Sequence, residues 1–228
     1  MNFTFGIITG GGQESYINMC IDSIENENIP NYEIIIVGNC SVVRKNTLII
    51  PFDETIKNKW ITRKKNIITE VAKYDNIVYM HDYIKLLKGW YEGQLTSGEE
   101  FFVRMDKIVD ASGTRFRDWC IWPHNGNFMD QLIGRNCLIP YSIIHLSKYQ
   151  YISGSYWIAK KHVMKDFPLN EDLSWGQGED VIWSKLIREK YNFNINVNST
   201  VALMKSGKDR VFSEPNQILI SKLENLRG

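Results

Sequence analysis

Residues 173–183 read LSWGQGEDVIW, and Glu179 and Asp180 stand there as adjacent carboxylates just where a helical pattern begins. Acids in a first helical turn are stabilised by unpaired N–H groups and by the macrodipole, which accounts for their being tolerated. The same field favours the ionised carboxylate, the form a general base needs. Gly176 and Gly178 let backbone approach a ligand closely, and the ring of Trp175 offers a flat apolar face that suits the C–H face of a sugar. A purely structural helix start needs neither the tryptophan nor both glycines.

A second group lies in NIVYMHDY, residues 76–83, where an apolar run finishes on His81, Asp82 and Tyr83. An imidazole beside a carboxylate suits Mg²⁺ or Mn²⁺ bridging to substrate phosphates. A turn-capping aspartate beside a hydrogen-bonded histidine accounts for the same residues. A third group is Thr9 with Gly10, Gly11 and Gly12, a turn whose N–H groups suit a phosphate if they face one, or simply a tight connection. Read as G-x-G-x-x-G it is incomplete, with Ser15 in the third glycine's place, and Gly38-Asn39 rather than an acid ends the next strand. Tyr156 and Lys160 have a Y-x-x-x-K spacing; with the glycines this leaves an NAD(P)-dependent Rossmann oxidoreductase as an alternative.

These residues must be positioned by the elements around them. Residues 3–9, 32–39, 47–52 and 76–83 are apolar runs of strand length, separated by helical stripes. One stripe carries Ile17, Cys20, Ile21 and Ile24 over 14–27; the other carries Ile67, Ile68, Val71 and Ala72 over 59–73. Alternating strands and helices predict an α/β fold with a mostly parallel central sheet flanked by helices. Ligands of such sheets bind at the carboxyl ends of the strands, so Thr9–Gly12, Gly38-Asn39 and His81–Tyr83 are expected to line one crevice. The second half predicts two strands over 101–122 around a turn at 110–113, a strand over 151–161, a helix over 181–190 held by Ile182–Leu186 and Trp183–Ile187 contacts, and a late strand over 193–204. No linker or repeat interrupts the chain, which predicts a single domain, 1–228.

Bulk properties narrow the function classes. The 228 residues are 43% hydrophobic, and 27 Lys plus Arg against 26 Asp plus Glu leave a net charge of +1. That balance gives no field for a nucleic-acid partner. Four cysteines without a C-x-x-C pair predict neither a disulfide framework nor a zinc cluster. The start of the chain does not read as a signal peptide, and apolar runs such as EIIIVG are too short for a bilayer, so a cytoplasmic location is expected. The amphipathic QILISKLENLRG near the end leaves room for peripheral contact with the inner face of a membrane.

Several stretches together resemble a known family. TFGIITGGGQESYINMCIDSI, YEIIIVGN, RKKNIITEVAKYDNIVYMHDY, SGSYWIAKKHV and WGQGEDVIWSKLI follow, in order, segments of the GT-A fold glycosyltransferases, near the inverting family-2 enzymes. The last is similar to the W-G-x-G-E-D pattern of β-galactosyltransferases and N-acetylgalactosaminyltransferases. The resemblance implies a nucleotide-sugar-binding half over 1–100 and an acceptor and catalytic half, with a smaller antiparallel portion, over 101–228. It implies a UDP-sugar donor, held by Thr9, Gly10, Gly11, Asn39, Lys65, Asn66, His81, Asp82 and Lys205. It implies a divalent cation, Mn²⁺ or Mg²⁺, on Asp82 with His81. The acceptor, a saccharide or lipid-linked saccharide of bacterial surface-glycan synthesis, would meet Trp175, Gly176, Gly178 and Trp122. Asp180 would be the base and Glu179 its partner on the acceptor. Three departures accompany the resemblance: Gly38-Asn39 replaces the acid that usually ends the second strand, HDY replaces D-x-D, and Lys205, Lys208 and Arg210 stand where a late metal-binding histidine is common. A non-catalytic sugar or nucleotide binder of the same fold is the alternative from another class.

Overall fold

In a computed structural model the chain is described over residues 1–121, 137–143, 150–205, 220, 221 and 225. Strands β1 (Phe3–Ile8), β2 (Tyr32–Val37), β3 (Thr47–Ile50) and β4 (Asn76–His81) run parallel in the order β3-β2-β1-β4. Helices α1 (Glu14–Glu25) and α2 (Ile61–Val71) make crossovers between them. Alternate residues of a strand face opposite ways. Phe3, Phe5 and Ile7 therefore pack with Ile17, Ile21 and Ile24 of α1, while Ile8, Ile35 and Val37 pack with Ile68 and Ala72 of α2. Both faces are covered, which is why these strands read as unbroken apolar runs. Pro51 follows β3, the edge strand, where a missing N–H costs no ladder bond.

The second half joins the same sheet. β10 (Tyr156–Lys160) lies antiparallel between β4 and β6 (Val103–Val109), and β11 (Phe193–Leu203) and β5 (Ile84–Leu86) complete the order β4-β10-β6-β11-β5. A small antiparallel sheet holds β7 (Cys120–Ile121) between β8 (Cys137–Leu138) and β9 (Gln150–Tyr151). This is the expected α/β architecture: a large, mostly parallel sheet flanked by helices, with a smaller antiparallel portion.

Several local expectations are corrected. The strand expected over 151–161 breaks at Gly154, so β9 belongs to the small sheet and β10 to the large one. The hairpin expected over 101–122 survives as a turn, where Asp110 Oδ1 accepts from the N–H groups of Ser112 and Thr114. Its return strand shrinks to a single bridge between Val109 and Arg115. Helices α3 (Trp90–Ser97) and α4 (Lys161–Asp166) were not expected. The face that α3 buries is Trp90, Gly93 and Gln94, too polar and too small to make an apolar stripe. Helix α5 (Glu179–Ile187) begins on the acids themselves; Trp183 and Ile187 enter the core, whereas Ile182 and Leu186 remain exposed.

Candidate functional site

The parallel register sets Ile8 beside Val37 on one side and His81 on the other, so Thr9, Gly38 and Asp82 leave the sheet at one edge. Backbone bonds prolong the alignment: Thr9 N–H donates to Val37 O at 3.1 Å and Asp82 N–H to Ile8 O at 3.2 Å. Thr9 Oγ1 donates to Asp82 Oδ2 at 2.7 Å and accepts from Gly11 N–H at 3.1 Å, tying the glycine turn to the aspartate. Asp82 is only 7% exposed, and that burial raises its carboxyl pKa, against which the Thr9 hydroxyl, Lys205 and Lys64 act. Cys20 Sγ donates to Asp82 O at 3.2 Å and Ile84 O at 2.7 Å, fixing the turn from beneath.

Because β10 runs antiparallel to β4, its start lies beside the end of β4. Tyr156 pairs with Met80, and His81 N–H donates to Ser155 O at 3.1 Å. The other end of the same turn meets the paired acids: Gly154 N–H donates to Asp180 Oδ2 at 2.9 Å. A Cβ on Gly154 would lie 2.8 Å from Asp180 Oδ2 and 3.0 Å from Glu179 Oε1, so a larger residue there displaces the carboxylates. The two acidic clusters, a hundred residues apart in sequence, are thus joined by the Gly154-Ser155 turn. Burial raises the pKa of Tyr83, after β4, and the charges of Asp82 and Glu179 raise it further, so its hydroxyl feels both clusters.

Gly178 caps α5 in the left-handed region (φ 71°). Glu179 is buried and Asp180 half-buried; Asp180 Oδ1 also accepts from Val181 N–H at 2.9 Å. Desolvation, then the neighbouring Glu179 charge, raise the Asp180 pKa to about 6, with Lys65 and the two N–H groups opposing them. The expectation that the helix N-terminus alone keeps this acid ionised needs that amendment: burial outweighs the field. A base with a pKa near 6 is nevertheless ionised at neutral pH and close to the optimum for taking a proton.

Lys65 reaches this pair from α2. Its Nζ donates to Gly154 O at 2.9 Å, lies 3.5 Å from Glu179 Oε1 and sits 4.3 Å above the Trp157 ring. Lys64 donates to Thr9 O at 2.6 Å and pairs with Glu54. Asn66, expected at the donor, is hydrogen-bonded to the segment 169–171. Its amide nitrogen donates to Leu169 O and Glu171 Oε1, and its oxygen accepts from Leu169 N–H, which pins the segment leading to the glycine-tryptophan motif. Asn39 is exposed and exchanges two hydrogen bonds with the backbone of Phe52; Gly10 is exposed and Gly11 half-buried beside it. Trp175 is 61% exposed, with Lys59 Nζ 4.1 Å over its ring, and Gly176 is left-handed (φ 85°). Lys205 is exposed 5.5 Å from the Tyr83 ring centroid. Trp122, Lys208, Arg210 and most of QILISKLENLRG lie outside the described residues. Lys64 and Gly154 were missed by sequence reasoning as site residues, although each lies inside a segment that resembles the family, RKKNIITEV and SGSYW; Tyr83 was placed at the crevice with His81 and Asp82.

Tyr156 and Lys160 form no dehydrogenase pair. On a strand they lie too far apart along the chain to act together. Tyr156 OH is buried on Asp106 with Trp90 Nε1, and Lys160 Nζ donates to Asn76 Oδ1.

Among the described residues no three His, Cys, Asp or Glu side chains gather as a metal cage. Asp82, held through Oδ2 by Thr9, fits an ion that completes its shell with substrate phosphates and water, as Mg²⁺ commonly does. No described helix is long and apolar enough to cross a membrane.

No protein-family model and no curated protein matches the sequence. Solved structures do. S. aureus TarS 1–349 matches with a TM-score of 0.53 at 14% identity, over 94% of this chain and 60% of that one. The same fragment has been solved with UDP and with UDP-GlcNAc. GalNAc-T7, solved with UDP, GalNAc and Mn²⁺, matches with a TM-score of 0.62 at 11% identity, over 95% of this chain and 45% of that one. The inositol-1-phosphate CTP transferase of T. maritima matches with a TM-score of 0.52 at 10% identity, over 98% of its length. The chain therefore spans less than two thirds of the TarS and GalNAc-T7 structures. At such identities the likeness is one of fold, the GT-A fold of these glycosyltransferases.

Proposed function

We propose that this chain is an inverting glycosyltransferase that moves a sugar from a UDP-sugar to a saccharide or lipid-linked saccharide acceptor of a bacterial surface glycan. The observation that carries the reading is the Gly154-Ser155 turn, bonded at one end to Asp180 and at the other to His81, at the carboxyl edge of the sheet. The UDP complexes of TarS and GalNAc-T7 support a nucleotide donor on this fold.

Asp180 takes the proton from the acceptor hydroxyl while that oxygen attacks the anomeric carbon from the face opposite the leaving group. The anomeric C–O bond breaks and its electron pair departs with the diphosphate. A positioned base contributes roughly 10²–10⁴-fold. Glu179 and Trp175 orient the acceptor; Thr9, Gly10, Gly11, Asn39 and Lys205 surround the donor. Asp82 with His81 would hold a divalent cation, Mn²⁺ or Mg²⁺, which supplies positive charge to the departing diphosphate.

The CTP transferase shares the fold, so nucleotidyl transfer is the competing chemistry. The acidic pair packed on Gly154 favours a base aimed at an acceptor hydroxyl. The test is release of UDP from a panel of UDP-sugars, with and without acceptor glycans. Slow release without acceptor, accelerated by one acceptor class and lost in Asp180→Asn, is expected. Pyrophosphate release from CTP with no UDP release from any sugar nucleotide would overturn the reading in favour of nucleotidyl transfer. Nucleotide binding with no turnover would leave a passive binder.

A further inference from the structure

The Lys65 ammonium is 1% exposed and lies between the turn and the acids. A buried lysine is expensive to keep charged, and burial does lower its pKa, with Glu179 and Asp180 pulling it back up. The contacts account for that expense. Nζ meets the carbonyl of Gly154, whose own N–H holds Asp180, so one peptide neighbourhood is gripped from both sides. Glu179 Oε1 is 3.5 Å away and the face of Trp157 closes the remaining side. Two adjacent carboxylates without a counter-charge tend to share one proton. With a cation beside them both can be ionised.

Resting on the transferase reading above, we propose that Lys65 is a positioning residue rather than a donor ligand: the buried counter-cation that clamps the Gly154 turn onto Glu179 and Asp180 and keeps Asp180 ionised at neutral pH. Among the described residues, Lys65 from α2, Tyr151 from β9 and Tyr83 after β4 are the titratable groups facing the pair, and Arg117 lies beside both tyrosines. Lys65 is the cation the structure gives Glu179 as an ion-pair partner. Its charge also lowers the Asp180 pKa, against the burial and the Glu179 charge that raise it.

The test compares Lys65→Gln, which can still donate to Gly154 O but carries no charge, with Lys65→Arg, which keeps the charge. Three readouts are taken: the pH profile of kcat, the UDP dissociation constant, and ¹³C-carboxyl NMR titration of the acidic pair. In Lys65→Gln the acid limb of kcat and the carboxyl titration are expected to move up together by about one pH unit or more, about tenfold in rate at pH 5. UDP affinity stays within about twofold of wild type, and Lys65→Arg restores the limb. A tenfold loss of UDP affinity with an unmoved limb would make Lys65 a donor ligand and overturn the proposal; so would an unmoved limb with unmoved affinity. If the wild type neither binds UDP nor turns over a sugar nucleotide, the transferase reading fails. The carboxyl titration, which needs no activity, still reads the clamp. Should Lys65→Gln not fold, Lys65→Met measured by the same titration takes its place.

Discussion

Asp180 concentrates the conflict between stability and chemistry in one side chain. Its folded pKa of about 6 lies above the value of 3.8 for the free acid, so the folded state binds its proton more tightly than the unfolded chain. Below about pH 4 both states are protonated and no penalty exists. Between about 4 and 6 the penalty grows, and above pH 6 it is complete, at most about 3 kcal/mol. Asp180→Asn removes it while leaving an oxygen for the Gly154 N–H. The substitution is expected to lower transfer roughly 10²–10⁴-fold and to raise the melting temperature at pH 8 but not at pH 3.5. For a chain of this size, each kcal/mol is worth about 2–4 °C. Equal melting shifts at the two pH values would mean that the carboxylate is not strained by burial. The acids were legible in the sequence because acids, glycines and an aromatic ring stood together in a few residues. Lys65 was legible only as a member of a resembling segment. Its burial was hidden, because the helical stripe was counted on Ile67, Ile68, Val71 and Ala72. The structure buries Thr62, Lys64, Lys65, Asn66 and Thr69 as well and leaves Val71 exposed. Apolar periodicity finds the face that wants to leave water and is blind to a polar face held inside by partners.

At the scale of elements, the site depends on two places where a glycine backbone passes close against its neighbours. Gly38, at the end of β2, has φ 137°, and a Cβ there would strike Thr9 O. Gly38→Ala should therefore destabilise the protein by more than the ~1 kcal/mol cost of an ordinary helix or strand substitution, read as a lower urea midpoint at constant slope. Gly154→Ala pushes on the two carboxylates instead. It is expected to cost about 1–3 kcal/mol of stability and at least tenfold in transfer, with UDP affinity retained. A variant that kept full transfer would show that the turn does not set the acids. The strands β1 to β4 could be read from their apolar runs, and their parallel order from the helices between them. What a strand's own residues do not carry is its neighbour: nothing in YWIAK says that β10 inserts antiparallel beside β4. That insertion is what carries Gly154 to the edge where Asp82 leaves the sheet.

For the whole molecule, the large sheet draws strands from both halves of the chain, so donor and acceptor functions would share one scaffold. A ligand that binds the folded state at a hundredfold excess over its dissociation constant adds about 2.7 kcal/mol. One UDP-sugar in a panel is therefore expected to raise the melting temperature by several degrees, more in the presence of Mn²⁺, while NAD(P) and CTP leave it unchanged. In the proposed reaction labour is divided within one site: the strand-end aspartate would serve the donor and the helix-start aspartate the acceptor. Calorimetric titration of UDP into the wild type, Asp180→Asn and Asp82→Ala, each with and without Mn²⁺, tests it most directly. The expected result is equal affinity, within about twofold, for wild type and Asp180→Asn, and for Asp82→Ala a loss of about tenfold or more together with the loss of Mn²⁺ dependence. UDP binding by Asp82→Ala with unchanged affinity and unchanged response to Mn²⁺ would contradict the account.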